Sequence, residues 1–323
     1  MLVLGLNGSP RKKGNTEFLL SSFMKEAEKL GAKTKTVHVA MADITPCRGC
    51  GYCEKKGFCV IKDYMSDTVY PLLRKAEVIV MATPIFFYNT PSQLKALIDR
   101  SQALWSRKYK LNLTDPSRTT RAGYLLAQGA TRGKNLFNGV NLTAKYFFDA
   151  VGASFNESLT YRRIENSGDM EKHPTASEDI RNAVEKLLIP FLKRKKILFS
   201  CRENACRSQM ASAFTKHIAG NKIEVLTGGS EPAGKINPVM SEAMEKKGID
   251  MAYLTPEPVD KALSGIQPDT IITMGCSDKC ELVSCNERHT WDIEDPAGKS
   301  LDFMVQVRDD IEKRVVKMGS MEK

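Results

Sequence analysis

Twice along this chain a short apolar run ends in a loop of small and basic residues, and each loop leads straight into a stretch of helical periodicity. Residues 2–6 run into Asn7-Gly8-Ser9-Pro10-Arg11-Lys12-Lys13-Gly14-Asn15-Thr16, ahead of apolar positions at helical spacing over 16–30. Residues 197–200 run into Cys201-Arg202-Glu203-Asn204-Ala205-Cys206-Arg207-Ser208, ahead of a second helix over 208–219. A continuous apolar strand is one covered on both faces, as in a parallel sheet flanked by helices. The repeated opening therefore predicts α/β architecture, made twice in one polypeptide.

The intervening pattern agrees. Strands are expected at 33–39, 78–83, 123–127 and 154–160, alternating with helices at 65–75, 92–104, 142–151 and 177–192. After Lys193-Arg194-Lys195-Lys196 the pattern restarts, with strands near 224–227 and 270–274 and helices at 238–247 and 301–318. A length of 323 residues also suits two domains at roughly 100–200 residues each, here 1–192 and 193–323, each a three-layer parallel-sheet unit. The basic tetrad reads as a solvated linker, since aromatic residues are only 7% and none is interleaved with it as single-strand binding requires.

Composition excludes more than it selects. Apolar residues at 42% and charged residues at 27% are ordinary globular usage, which rules out collagen-like and disordered chains. A net charge of +10 suits nucleic acid, an anionic membrane or small anions alike. No apolar run reaches the roughly 18 residues of a membrane span, and Gly-Ser-Pro-Arg interrupts the N-terminal run too early for a secretory signal. A cytoplasmic protein with neither a nucleic-acid nor a membrane partner is expected. In that compartment nine cysteines point to metal binding or redox chemistry rather than disulfide staples.

The first loop joins a strand's carboxyl end to a helix N-terminus, where backbone N–H groups and the helix dipole favour an anion. Ser9, Asn15 and Thr16 add short donors and Arg11 a guanidinium fork. The spacing matches neither the Walker pattern nor the dinucleotide fingerprint. The third strand ends in Pro84-Ile85-Phe86-Phe87-Tyr88-Asn89, an apolar and aromatic loop suited to a flat ring beyond the sheet's carboxyl edge. Together the two loops resemble those of NAD(P)H-dependent FMN reductases and iron–sulfur flavoproteins, which are flavodoxin-like. The resemblance implies that Ser9, Arg11, Asn15 and Thr16 hold the FMN phosphate. It implies too that Pro84, Ile85, Phe86 and Asn89 line the isoalloxazine ring, with the Gly129 loop on its far side.

Cys47-x2-Cys50-x2-Cys53-x5-Cys59 places four thiols close enough to converge on one soft metal site. Iron–sulfur flavoproteins carry a compact motif of this kind for a [4Fe–4S] cluster at this place in the fold. A zinc site, a dithiol relay or cysteines without a metal are the alternatives.

The second loop is Cys-x5-Arg-Ser between a strand and a helix. Inward-facing N–H groups make an anion nest, Arg207 closes it bidentately, and the same field favours an anionic sulfur at Cys201, a nucleophile aimed at a bound tetrahedral oxyanion. Ser208 is placed to hydrogen-bond that sulfur. The loop resembles those of low-molecular-weight tyrosine phosphatases and thioredoxin-coupled arsenate reductases. Gln209-Met210 after the serine, and the thiols Cys276, Cys280 and Cys285 downstream, resemble the reductases. The implied chemistry is attack by Cys201 on arsenate with Asp295 as general acid, then attack by Cys276 on Cys201, then resolution by Cys280, with Cys285 as the alternative. Cys206 is expected to be structural.

The expected protein is a bifunctional oxidoreductase, in which NAD(P)H-dependent flavin electron transfer is fused to thiol-based reduction of arsenate to arsenite. A thioredoxin-like reductant and a homo-oligomer are expected by analogy. A tyrosine phosphatase under redox control and a non-catalytic redox carrier or sensor are the competing expectations.

Overall fold

The structure, a computed structural model, describes residues 1–275 and 283–321. The chain divides into two compact units, Met1–Asn112 with Thr120–Leu192, and Leu113–Thr119 with Lys193–Lys323.

In the first unit the order is β1 (Leu2–Asn7), α1 (Asn15–Lys29), β2 (Lys33–His38), α2 (Tyr52–Lys56), α3 (Tyr70–Lys75), β3 (Val78–Pro84), α4 (Ser92–Arg100), α5 (Gln102–Tyr109), β4 (Ala122–Gly129), α6 (Asn138–Ala150), β5 (Ser154–Arg162) and α7 (Ala176–Leu192). The five strands are all parallel, in the order β2-β1-β3-β4-β5. This is the flavodoxin-like order, in which the switch point lies between β1 and β3. The central strands β3 and β4 are buried along almost their whole length, whereas edge strand β2 alternates, which is why only the former read as unbroken apolar runs. Leu19, Leu20 and Phe23 of α1 pack with Ile180 and Val184 of α7 over Val3, Val80 and Tyr124 on one face of the sheet.

Two helices depart from expectation. The single helix expected over 92–104 is two, because the chain breaks at Ser101. That serine is fully buried, and its hydroxyl donates to the Leu97 carbonyl (3.1 Å), the back-bonding that bends helices. The helix expected over 65–75 begins as a π turn, Met65–Val69, and becomes α3 only where Pro71 enters its first turn.

The second unit contains β6 (Lys195–Cys201), α8 (Arg207–Ala219), β7 (Ile223–Gly229), α9 (Pro238–Glu245), α10 (Val259–Leu263), β8 (Thr270–Met274), β9 (Glu287–Thr290) and α11 (Leu301–Met321). Its parallel sheet runs β7-β6-β8-β9, so β6 holds the place that β1 holds in the first unit. Phe199 and Cys201 face a core of Met210, Phe214, Met244 and Met304, while Leu198 faces the opposite side with Val259 and Ile271. Leu113–Thr119 adds one bridge, Thr114 to Ile249, with Thr114 N donating to the Gly248 carbonyl (2.7 Å).

One reading of the sequence is corrected, and one strand goes beyond it. The basic tetrad is not a linker: Lys195 and Lys196 begin β6, and buried Arg194 donates to the Gly220 carbonyl (3.0 Å). Strand β9 was not expected, since its four residues are polar and exposed and carry no apolar signal. Among the described residues no helix is long and apolar enough to cross a membrane.

Candidate functional site

Because β1 pairs with β2 on one side and β3 on the other, the loops leaving β1 and β3 diverge over a crevice. There Ser9, Arg11, Asn15, Thr16, Pro84, Ile85, Phe86 and Gly129 line one cavity of about 290 Å³. The loop after β1 is wound on itself: Asn7 Oδ1 accepts from Ser9 N (3.0 Å), and Ser9 Oγ accepts from Arg11 N (3.2 Å). No side chain caps α1, whose preceding Gly14 is extended, so its first-turn N–H groups suit an anion such as a phosphate. These donors, Arg11 and the apolar wall of Pro84, Ile85 and Phe86 fit a phosphorylated flavin.

Asn15 is committed within the protein. Its Nδ2 donates to the Asn166 carbonyl (2.8 Å) and its Oδ1 accepts from Met170 N (3.1 Å). It thereby fastens a loop whose Ile164, Glu165 and Ser167 form a wall of the same cavity. Asp169 tightens that loop by accepting from Glu165 N (2.9 Å) and Asn166 N (2.7 Å), and these bonds hold its carboxyl below the ordinary range. This wall was not foreseen; Asn166-Ser167-Gly168-Asp169 is a turn signal, but nothing local says where the turn lies. Asn89 does not line the cavity. Its backbone exchanges hydrogen bonds with Phe86 (2.8 and 3.0 Å), closing a turn whose central residues Phe87 and Tyr88 are left-handed at φ 48° and 62°. That conformation costs a residue with a Cβ roughly 1–2 kcal/mol.

Cys47, Cys50, Cys53 and Cys59 line a second cavity of about 390 Å³, together with Arg100 and Gln102. Gly49, Gly51 and Gly57 take φ of 64°, 68° and 71°, the left-handed turns that bring successive cysteines round to one cavity. Burial raises the Cys53 thiol above its ordinary value; a hydrogen bond from Ser106 (3.7 Å to Sγ) opposes this, and the charges of Cys59 and Cys47 add to the rise. Among the described residues no three Cys, His, Asp or Glu side chains converge so as to hold a single metal ion. Four thiols lining one cavity fit a multi-atom, sulfur-ligated group in donor chemistry.

In the second unit, Cys201 ends β6 beside Met274 at the end of β8, and the Cys201–Arg207 loop crosses the switch point between the two strands. Cys201 is buried, with its Sγ 3.1 Å from Ser208 Oγ. Ser208 Oγ accepts from Asn204 Nδ2 (2.8 Å), which also donates to Thr227 Oγ1 (2.6 Å). Asn204 Oδ1 accepts from Gln209 Nε2 and Glu257 N, both 3.0 Å. Asn204 is left-handed (φ 52°) and buried, a polar hub that fixes the loop; its place between Cys201 and Arg207 was the available signal. As at α1, no side chain caps α8.

Arg207 donates from Nη1 to the Ile293 carbonyl (3.0 Å) and from Nη2 to Asp295 Oδ2 (2.8 Å), and its buried Nε–H has no partner among the described residues. Asp295 is half exposed at the loop's mouth. Cys206 is buried, and burial first, then the charges of Cys201, Asp295 and Glu203, push its thiol up to about 12. Cys276 and Cys280 lie outside the described residues. Cys285 packs with Leu198, Val259 and Ile271, on the face of the sheet opposite Cys201.

Residues 1–130 match the family described as NADPH-dependent FMN reductase, and residues 196–321 that described as low molecular weight phosphotyrosine protein phosphatase. An iron–sulfur flavoprotein of Methanosarcina thermophila is 36% identical over 132 residues, 41% of this chain and 65% of that protein. Arsenate reductase 2 of Staphylococcus haemolyticus is 39% identical over 124 residues, 37% of this chain and 92% of that protein. A solved structure described as an arsenate reductase in the phosphate binding state is 32% identical, covering 39% of this chain and 98% of its own at a TM-score of 0.36. The chain spans less than two thirds of the iron–sulfur flavoproteins it matches, 65, 54 and 45% for three of them.

Proposed function

The chain belongs to the low-molecular-weight phosphatase and arsenate reductase family through its C-terminal domain and to the FMN reductase and iron–sulfur flavoprotein family through its N-terminal domain, and on that premise we propose that it is a bifunctional oxidoreductase coupling NAD(P)H oxidation to the reduction of arsenate to arsenite. The division of labour is 1–192 for flavin chemistry and 193–323 for the oxyanion. The observation that carries the reading is the convergence of Cys201, Ser208, Arg207 and Asp295 at the uncapped start of α8.

The oxyanion enters the nest formed by the Cys201–Arg207 loop and takes N–H donors from Arg207, which releases Asp295. Cys201 Sγ, held toward the nest by the Ser208 hydroxyl, attacks arsenic. Asp295, freed as a carboxylate, takes up the proton the oxyanion carries in and gives it to the departing oxygen, which leaves as water. Cys276 then attacks Cys201 Sγ: the sulfur–arsenic bond breaks, its electron pair stays on arsenic, and arsenite departs. Two thiols have become one disulfide while arsenic has gained two electrons. Cys280 attacks Cys276 and moves the disulfide on. The packing of Cys285 on the far face favours Cys280 for this role.

In the first unit Ser9, Arg11 and Thr16 hold the phosphate of FMN, and Pro84, Ile85, Phe86 and Gly129 flank its ring. Cys47, Cys50, Cys53 and Cys59 hold a [4Fe–4S] cluster. When bound, the flavin supplies hydride acceptance from NAD(P)H and the cluster single-electron transfer. A homo-oligomer is part of the proposal, by family analogy alone.

The experiment is arsenate-dependent oxidation of NAD(P)H by the purified chain. Turnover without added thioredoxin supports the coupled reading, and strict dependence on thioredoxin overturns the coupling. The same nest suits phosphoryl transfer, so Cys276→Ser is decisive: the reductase reading requires at most one arsenite per chain, whereas a phosphatase keeps full aryl phosphate hydrolysis.

A further inference from the structure

The cysteine segment is closed at its neck by one buried guanidinium. Arg100, the last residue of α4, donates from Nη1 to the Thr45 carbonyl and to Asp63 Oδ2, both 2.7 Å. From Nη2 it donates to the Ile61 carbonyl (3.2 Å) and to Asp63 Oδ1 (3.0 Å). Asp63 in turn accepts from Thr45 N (3.0 Å) and Met65 N (3.1 Å). Thr45 precedes the first cysteine and Ile61 and Asp63 follow the last, so the two strands of the neck meet on a single side chain. Neither member of the pair is exposed to solvent, at 0% for Arg100 and 4% for Asp63.

Those four bonds use all four terminal N–H groups of the fork. The fifth, on Nε, is buried and has no hydrogen-bond partner among the described residues. A buried donor left unmade costs about 1–3 kcal/mol, so an unpaired one on a residue that lines a cavity points to a ligand. Arg100 lines the cavity that holds the four thiols, Cys59 among them.

We propose that Arg100, besides closing the neck, donates its Nε–H to an anionic sulfur of the iron–sulfur group and so positions that group and raises its reduction potential. The inference rests on the cluster reading given above. A fixed cation and an N–H donor at a cluster sulfur both favour the reduced, more negative form. Arg100 is a positioning residue, distinct from the four ligands.

The test uses the full chain purified without oxygen, with iron and sulfide assayed and the cluster titrated redox-potentiometrically by electron paramagnetic resonance, the flavin serving as internal reference. Arg100→Lys keeps the charge and loses the Nε donor; its cluster midpoint is expected to move negative while the flavin midpoint stays. Asp63→Asn loosens the neck and keeps the donor; it is expected to lose iron to a chelator faster at an unchanged midpoint. Pulsed paramagnetic resonance of the unmutated chain grown with nitrogen-labelled arginine needs no variant, and a coupling from arginine nitrogen is expected in the reduced cluster. No such coupling, an Arg100→Lys midpoint equal to that of the unmutated chain, or equal midpoint shifts in the two variants overturns the proposal. Unmutated protein without iron and sulfide overturns the cluster reading itself and the proposal with it.

Discussion

Arg207 donates to Asp295 across 88 residues of chain, Nη2 to Oδ2 at 2.8 Å, so the nest's closing cation and its proposed acid hold each other. An entering oxyanion must take the guanidinium from the carboxylate, which frees the carboxylate to carry a proton only when substrate is present. Asp295→Asn therefore separates two effects. Arsenate turnover should fall by about 10²-fold or more through loss of the acid. Phosphate, as an unreactive oxyanion, should bind as tightly or more tightly, because an anionic competitor for Arg207 has gone. Steady-state rates and calorimetric phosphate titration read the two; equal losses in both would remove Asp295 from proton transfer.

Cys206 differs from Cys201 in its surroundings rather than its distance along the loop. With its thiol pushed to about 12 by burial, Cys206 remains protonated at any ordinary pH, and thiols alkylate through the thiolate. Iodoacetamide at pH 8 followed by mass mapping should label Cys201 and spare Cys206, and phosphate should protect Cys201. The folded chain also holds the Cys206 proton more tightly than an unfolded chain with the ordinary value of 9.0. Its stabilising contribution is therefore complete below pH 9 and is lost as pH rises toward about 12.

Asn204 makes four side-chain hydrogen bonds from a left-handed backbone, and two of its partners, Gln209 Nε2 and Glu257 N, are donors that alanine would strand. Asn204→Ala should cost the second unit at least about 2 kcal/mol, and Asn204→Gly about 1 kcal/mol less, since glycine accepts this backbone freely. The chain has two tryptophans, Trp105 and Trp291, one in each unit. In a Trp105→Phe background, denaturant titration followed by fluorescence therefore reports the second unit alone. Equal stabilities for the alanine and glycine variants would refute the backbone contribution.

What was legible along the chain is what the chain keeps local. The loops after β1 and β6 and the four-cysteine segment each lie within about a dozen residues, so spacing alone assembles them. What escaped is what the fold gathers from afar. Arg100 reaches Thr45 across 55 residues, Asn15 reaches Asn166 across 151, and a sequence pattern carries no trace of either meeting. Strand β9 escaped for the opposite reason: its backbone pairing with β8 holds it, and its exposed side chains carry no periodicity to read.

The commitment of Asn15 gives a last test, between holding a phosphate and holding a wall. In the sequence it stands as a phosphate donor; in the fold both ends of its amide fasten the loop bearing Ile164, Glu165 and Ser167. Loss of two net hydrogen bonds of about 0.5–1.5 kcal/mol each should weaken flavin binding roughly tenfold in Asn15→Ala. The choice of flavin discriminates the two roles. If Asn15 acts through the wall, FMN and riboflavin, which lacks the phosphate, should weaken by the same factor. If it acts on the phosphate, only FMN should weaken. Titration of the flavin-free chain with each ligand, followed by flavin fluorescence, measures both factors, and the geometry predicts that they are equal.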